Sequence, residues 1–125
     1  MGDPQGTARG SERSPRTEVD PAPGRGSPYS AVVTLHGSHD LTTSGDLKRA
    51  LAPLRGDVLL DLSDCEFIDS TVIGLMIGKA RALRREGSYL ELLVEPASQV
   101  ERALESLGID ELVTLHEHMP SDDLA

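Results

Sequence analysis

Two adjacent hydroxyl side chains, Ser70 and Thr71, follow Asp69 at the start of a segment with the apolar spacing of an amphipathic helix. A serine at the start of a helix can cap it, because its oxygen accepts a hydrogen bond from a backbone amide that has no partner within the helix. The same amides and the positive end of the helix dipole also stabilise a phosphate. The pattern therefore allows two compatible roles for Ser70, as a helix cap and as a phosphate acceptor.

Other reactive side chains give no second candidate. The one cysteine, Cys65, lies between Asp64 and Glu66, and we expect these carboxylates to raise its thiol pKa and make it a poor nucleophile. The histidines show no zinc-type spacing with a cysteine or an acid, so we expect them to be structural or solvated. They are His36, His39, His116 and His118. The sequence therefore predicts no enzyme, no metal and no cofactor.

The composition excludes several classes of protein. The chain has 125 residues, a formal net charge of −9 and three aromatic residues, Tyr29, Phe67 and Tyr89. Nucleic-acid binding needs basic patches and stacking rings, so we expect no nucleic-acid partner. A lone cysteine forms no internal disulfide, no apolar run reaches the roughly 20 residues that span a bilayer, and the first ten residues hold no apolar signal region. We expect a cytoplasmic protein that does not bind membranes.

Composition also divides the chain into three parts. Residues 1–28 are rich in proline, glycine, serine and arginine, and we expect a flexible tail because this segment cannot bury enough surface to offset its ordering entropy. One exception is a short edge strand at residues 16–19, connected through residues 21–28. The charges of the tail balance, so the whole net charge belongs to the rest of the chain. We expect an ordered domain at residues 29–117 and an acidic tail at residues 118–125.

Strands and helices alternate through the ordered domain. Apolar and β-branched runs predict strands at residues 31–36, 58–62, 90–94 and 112–115, and residues 63–70 are interpreted as a loop. Helical spacing predicts three helices that begin near Thr43, Ser70 and Ser98. Thr43-x-x-Asp46 and Ser98-x-x-Glu101 resemble capping boxes. The alternation predicts an α/β fold, with a central, mostly parallel sheet of about four or five strands and three main helices on one face.

Two glycines, Gly74 and Gly78, stand one turn apart in the middle predicted helix. The same spacing occurs where membrane helices pair, but the charged residues that follow, beginning with Lys79, exclude a bilayer setting. We therefore assign the two glycines to close packing of the helix against the sheet.

Three stretches of the ordered domain form a recognisable set. The first is a strand that ends in Gly37-Ser38-His39-Asp40. The second is Asp61-Leu62-Ser63 followed by Phe67-Ile68-Asp69-Ser70-Thr71, and the third is the spacing of glycine, leucine and valine in residues 87–115. In this order they resemble the STAS domain family, specifically its anti-sigma factor antagonists, over residues 29–117. The resemblance implies a small STAS-type fold.

The resemblance also implies a non-enzymatic switch. Members of the family bind an anti-sigma factor that is also a serine kinase, and this binding releases the sigma factor. Phosphorylation of the serine in the Asp-Ser motif ends the binding, and a phosphatase restores it. Carried over to this chain, Ser70 is the phosphorylation site, with Thr71 as the alternative. The residues implied to bind the partner are Asp40, Asp69, Ser70, Thr71, Val72 and Gly74.

One departure from the family pattern accompanies the resemblance. Val72 stands where the family often has glycine, and its side chain would fill space at the kinase surface, whereas Gly74 matches the next family glycine. An alternative function is a STAS binding subunit of another assembly, such as a lipid-transport or stress-signalling complex. Ser70 would then be only a helix cap.

Overall fold

The computed structural model describes residues 14–120. Its strands are β1 (Arg16–Asp20), β2 (Ala31–His39), β3 (Val58–Asp61), β4 (Cys65–Ile68), β5 (Leu90–Leu93) and β6 (Thr114–His116). Its α-helices are α1 (Ser44–Leu51), α2 (Ser70–Arg85) and α3 (Gln99–Ser106), and a single 3-10 turn spans Ile109–Glu111. Residues 1–13 and 121–125 of the two predicted tails lie outside the described residues.

The strands form a sheet in the order β1-β2-β3-β5-β6. Neighbours among β2, β3, β5 and β6 are parallel, and β1 pairs antiparallel with β2 at one edge. Each parallel connection passes through a helix, as parallel pairing requires. The predicted α/β class, with three helices and a mostly parallel sheet, is confirmed.

Strand β1 corrects the prediction of a tail over residues 1–28. The exceptional edge strand expected at residues 16–19 is present at Arg16–Asp20, so this part of the segment belongs to the sheet. In the register with β2, Thr17 lies opposite Leu35 and Val19 lies opposite Val33. The short strand therefore extends the sheet beside the long strand β2.

Strand β4 corrects the prediction of a loop over residues 63–70. β2 has nine residues and β3 has four, so the last part of β2 extends beyond β3. β4 pairs in parallel with this part of β2, and Gly37 N donates to Asp64 O at 3.1 Å where the pairing begins. The register shifts after Gly37, whose φ of +79° suits glycine. Pairing with β2, rather than a strong strand pattern, makes this segment extended.

The core lies between the sheet and its three helices. Alternate residues of β2, beginning with Ala31 and Val33, are buried on the helix side. They pack with Leu60 of β3, with Leu62 just after β3 and with Met76 of α2. A second, smaller cluster covers part of the opposite face and consists of Tyr29, Leu59 and Leu93. The large one-sided core fixes which face of α2 points inward.

The two predicted capping boxes have different outcomes. At α3, Ser98 Oγ accepts from Glu101 N at 3.1 Å and Glu101 Oε1 accepts from Ala97 N at 2.7 Å, so this cap is confirmed. At α1, Thr43 precedes the helix but its side chain makes no cap hydrogen bond. Its hydroxyl accepts from Asp40 N at 3.0 Å instead, because the preceding loop folds back on it.

The helices of residues 14–120 are too short or too polar to cross a membrane. The longest, α2, has 16 residues, and a membrane-spanning helix needs about 20 apolar ones. Within the same part of the chain, no group of three histidine, cysteine, aspartate or glutamate side chains is arranged so that it could hold a metal ion.

Candidate functional site

The start of α2 is capped by Asp69. Its backbone is extended, with φ −106° and ψ −178°, and its Oδ1 accepts from Val72 N at 3.0 Å. The cap role considered for Ser70 is therefore wrong. A cap residue must be extended and precede the helix, and β4 keeps the chain extended up to this point. Aspartate caps a helix as well as serine does, so the earlier of the two residues takes the role.

Ser70 is consequently the first residue of α2, and it is exposed. Its hydroxyl is not needed for the cap, because Asp69 supplies it. Thr71 is exposed beside it. Both hydroxyls lie at the positive end of the 16-residue helix, where a phosphate is stabilised by the helix dipole.

The carboxylate of Asp69 also connects two elements. While Oδ1 caps α2, Oδ2 accepts from Leu41 N at 3.0 Å. Leu41 belongs to the loop between β2 and α1, which is 28 residues away in sequence. Asp69 therefore holds this loop against the start of α2, and it brings the Gly-x-x-Asp motif next to Ser70.

Asp40 lies in the same loop and is tied to it locally. Its Oδ1 accepts from Thr42 N at 2.9 Å and from the Thr42 hydroxyl at 2.6 Å. These hydrogen bonds lower the pKa of Asp40, so its carboxylate stays ionised at neutral pH. The loop therefore places a negative charge near Ser70.

His39 packs beneath the surface of the β2–α1 loop and holds it through hydrogen bonds. It is buried, with 1% exposure, and its Nε2 donates to His36 O at 2.9 Å. Its Nδ1 lies 3.2 Å from the Thr43 hydroxyl, which in turn accepts from Asp40 N. The ring is a structural element of the loop, as expected for the histidines, and it presents no surface to a partner.

Of the residues implied to bind a partner, Val72 is placed differently from the expectation. Its side chain is fully buried in the core beneath α2, because two residues beyond Ser70 the helix has turned inward. Val72 therefore offers no side-chain surface to a partner. The large apolar side chains exposed near this end of the molecule are Leu41, at 68%, and Phe67, at 46%.

The two glycines of α2 lie on the exposed side of the helix and not against the sheet, where they were expected. Gly74 and Gly78 are exposed, and a Cβ built on either would meet no atom within 4 Å apart from its chain neighbours and the backbone of its own helix. The assignment to close helix-to-sheet packing is therefore wrong, since the four-residue spacing defines a helix face but not its direction. The glycines line an open apolar groove of about 270 Å³ between α1 and α2, with Lys48 and Lys79 at its sides.

Lys79 joins the two helices at this groove. Its Nζ donates to Leu54 O at 2.8 Å, just beyond α1. Partial burial lowers the pKa of Lys79 from its usual value. Lys48 and Lys79 are the two lysines of the whole chain, so the groove carries positive charge in a protein whose net charge is −9.

Cys65 is buried in β4, and its Sγ donates to Phe67 O at 3.5 Å. Burial is the main cause that raises its pKa to about 11, and the charges of Glu66 and Asp64 contribute less. The thiol is therefore a poor nucleophile, as expected, although the neighbouring carboxylates are the smaller reason.

The sequence reasoning missed Leu41 and Phe67 as exposed apolar residues and Asp69 as the link between two elements. The only local signal for Asp69 as the cap is its residue type, since its carboxylate can accept from the Val72 amide three residues later, and Ser70 offers the same possibility one residue on. No local signal pairs Asp69 with Leu41, because the contact depends on the whole sheet.

Comparisons with known proteins identify the family of this domain. A family model described as Mlab, STAS domain, matches residues 25–114. The anti-sigma-B factor antagonist of Staphylococcus aureus (strain NCTC 8325 / PS 47) is 28% identical over 89 residues, which cover 68% of this chain and 82% of that protein. The anti-sigma-B factor antagonist of Staphylococcus epidermidis matches with the same identity and coverage.

Solved structures show the same fold. The anti-sigma factor antagonist from Mycobacterium paratuberculosis superposes with a TM-score of 0.71 at 22% identity, over 85% of this chain and 88% of that one. The anti-sigma factor antagonist SpoIIAA, in its unphosphorylated form, superposes with a TM-score of 0.58 at 14% identity, over 85% of this chain and 90% of that one. The family match covers most of the chain, so this protein belongs to the STAS domain family. The four similar proteins named above are anti-sigma factor antagonists.

Proposed function

We propose that this protein is an anti-sigma factor antagonist, a non-enzymatic cytoplasmic regulator that binds an anti-sigma factor and thereby releases a sigma factor. The proposed partner is a serine kinase, and its phosphorylation of Ser70 ends the binding. The observation that carries the proposal is the placement of Ser70, which is exposed at the start of α2 while Asp69 supplies the cap. The similarity to anti-sigma factor antagonists supports the same function.

The charges around Ser70 explain how a phosphate would act. A phosphate adds about −1.5 to −2 charge at neutral pH. Asp69 and Asp40 already make this end of the molecule negative. The helix dipole stabilises the phosphate in the free protein, but in a complex the phosphate would lose its water and lie near like charges. Phosphorylation would therefore weaken binding by charge and desolvation, with little change of fold.

The apolar residues around this end supply the rest of the proposed docking surface. Phe67 is exposed on β4, which leads into Asp69, and Leu41 is exposed on the loop that Asp69 holds. Asp40 and Thr71 complete the surface. Exposed apolar side chains near a polar centre are typical of protein interfaces. Asp69 fixes Leu41 and Ser70 relative to each other, so a partner meets a preorganised surface.

Gly74 and Gly78 extend this surface along α2. A glycine inside a helix costs about 0.5–1 kcal/mol relative to alanine, and here no packing within the described chain compensates for it. Gly74 lies one turn beyond Ser70 and Gly78 one turn further, so they follow the serine along one face. We propose that a partner segment with acidic residues approaches this groove, next to Lys48 and Lys79.

Phosphate mapping tests the proposed function directly. The purified protein is incubated with the anti-sigma factor kinase of the same organism and ATP, and the modified residue is identified by mass spectrometry. We expect one phosphate on Ser70, no phosphate on the Ser70→Ala variant, and unchanged modification of the Thr71→Ala variant. A specific phosphatase should remove the phosphate and restore binding.

Two other outcomes would change the proposal. Modification of Thr71 in the wild-type protein would move the phosphate acceptor by one residue. Stable binding to a different complex, with no modification of either hydroxyl, would support the alternative of a STAS subunit in another assembly. In that case Ser70 would be an exposed residue next to the cap rather than a switch.

A further inference from the structure

His36 on β2 lies with its ring between two carboxylates that belong to different elements. Its Nδ1 lies 2.5 Å from Asp64 Oδ2, in the turn between β3 and β4. Its Nε2 lies 3.0 Å from Glu18 Oε1, on the edge strand β1. These three side chains, here named the His36 cluster, connect β2 to the edge strand β1 and to the β3–β4 turn.

The geometry of the cluster fits a protonated ring. An ionised carboxylate only accepts hydrogen bonds, so both ring nitrogens must donate for both contacts to form. A neutral imidazole has one N–H group, and an imidazolium has two. His36 can therefore satisfy Asp64 and Glu18 together only when it carries a positive charge.

The surrounding charges favour this protonated form. The hydrogen bonds to Asp64 and then Glu18 are the main causes that raise the pKa of His36 above its usual 6.5, against smaller opposing effects of burial and of Arg16. Arg16 is on β1, and its Nε donates to Glu18 Oε2 at 2.9 Å. Arg16 and Glu18 from β1 and Asp64 from the turn are the charged groups that face the ring.

We propose that His36 is a proton-dependent clasp that holds the edge strand β1 and the β3–β4 turn to strand β2. When the ring loses a proton it keeps one of its two hydrogen bonds. The Asp64 contact is shorter, and its carboxylate is less exposed than that of Glu18, at 35% against 52%. The remaining proton therefore stays on the Asp64 side, and the link to β1 is lost.

The direction of the pH effect follows from the sign of the shift. A group whose pKa is higher in the folded state stabilises that state fully below its unfolded pKa, here near 6.5. The stabilisation is lost as the pH rises above this value through the folded pKa of His36. The clasp is therefore closed in mildly acidic conditions, and it opens as the pH rises through the folded pKa of His36. Because the Asp64 contact persists, we do not expect β4, or Ser70 that follows it, to change position with pH.

Hydrogen exchange of the full chain, followed by NMR, tests the clasp. Protection factors are compared at about pH 6 and at a pH above the midpoint of the His36 ring titration, for the β1 amides and, as an internal reference, for the β3 amides. We expect β1 protection relative to β3 to fall about two- to fivefold at the higher pH, as suits a partly exposed ion pair. The His36 ring signal should titrate above its usual value in the same samples.

Three variants separate the clasp from general changes of stability. His36→Gln should remove the pH dependence of β1 protection, and Glu18→Gln should reduce it and lower the pKa of His36. Glu18→Gln changes only a charge on the surface, so it keeps the test open if His36→Gln does not fold. His118→Gln replaces an exposed histidine outside the cluster and should behave as the wild type. Equal relative protection at both pH values, or wild-type pH dependence in His36→Gln, would overturn the proposal.

Discussion

Helices α2 and α3 both begin next to a serine, but the two serines differ in what their hydroxyl groups do. At α3, Ser98 is itself the cap, and its oxygen accepts from Glu101 N at 3.1 Å. At α2, Asp69 is the cap, and Ser70 lies one position later with an exposed side chain. The two serines differ by one position at the start of the helix. The Ser98 hydroxyl caps its helix, whereas the Ser70 hydroxyl is exposed and caps nothing.

The comparison shows what a switch site requires. A phosphate on Ser98 would remove a cap and add charge next to Glu101, so it would disturb the fold. A phosphate on Ser70 leaves the cap of Asp69 in place and lies at the positive end of the helix. The proposed switch can therefore change the surface charge while the fold persists.

The largest expected effect is on partner binding. Ser70→Asp should weaken binding to the anti-sigma factor by about 2 kcal/mol or more, which is roughly 30-fold in Kd, because an uncompensated charge is buried in the complex. Ser70→Ala should bind like the unmodified protein. Titration calorimetry measures both.

Ser88→Asp is the matched control for this prediction. It adds the same charge beyond the far end of α2, and it should leave Kd within about twofold of the wild type. If Ser88→Asp weakens binding as much as Ser70→Asp, the effect belongs to net charge and not to the start of α2.

The next effect is on stability and concerns the cap of α2. Asp69→Ala removes the acceptors for both Val72 N and Leu41 N, and it should lower the free energy of unfolding by about 1–2 kcal/mol. Asp69→Asn keeps one acceptor oxygen and should cost less. Urea unfolding followed by circular dichroism measures the difference, and equal losses in the two variants would show that the contact kept by asparagine contributes nothing.

Alanine at each serine tests the comparison itself. Ser98→Ala should destabilise the protein by about 1 kcal/mol because it removes a cap, and Ser70→Ala should change the free energy of unfolding by less than about 0.5 kcal/mol. The same urea experiment applies. A loss at Ser70 as large as that at Ser98 would mean that Ser70 supports the fold after all.

The smallest expected effect is at the glycine groove. Gly78→Ala should stabilise the helix by about 0.5–1 kcal/mol, since the added Cβ meets no atom apart from its chain neighbours and the backbone of its own helix, and it should weaken partner binding. Gly87→Ala is the matched control, because its φ of +82° makes the same substitution strained and destabilising. A destabilising effect of Gly78→Ala would indicate that α2 packs on this face.

Much of this structure could be predicted from local patterns, and the exceptions have physical reasons. The long periodic segments around Val33, Met76 and Leu104 predict β2, α2 and α3, and their alternation predicts a parallel sheet. The short strand β4 has no such signal, because it is extended by pairing with the far end of β2. The edge strand β1 was an exception within a polar segment for the same reason.

The local geometry of the candidate site could be predicted less well than the fold. Asp69 and Ser70 are adjacent residues of nearly equal capping strength, so the choice between them depends on where β4 ends. The contact between Asp69 and Leu41 joins residues far apart in sequence, and no local sequence pattern predicts it. The directions of Val72 and Gly74 depend on how α2 rotates on the sheet, and spacing alone leaves this angle open.

The most direct test of the central claim compares the unmodified protein with the protein phosphorylated on Ser70. Affinity for the anti-sigma factor and thermal unfolding are measured on the two forms in the same buffer. We expect phosphorylation to weaken binding roughly 30-fold or more while the melting temperature does not fall. Equal affinity of the two forms, or a phosphorylated form that loses its fold, would contradict the claim that Ser70 is a surface switch held apart from the helix cap.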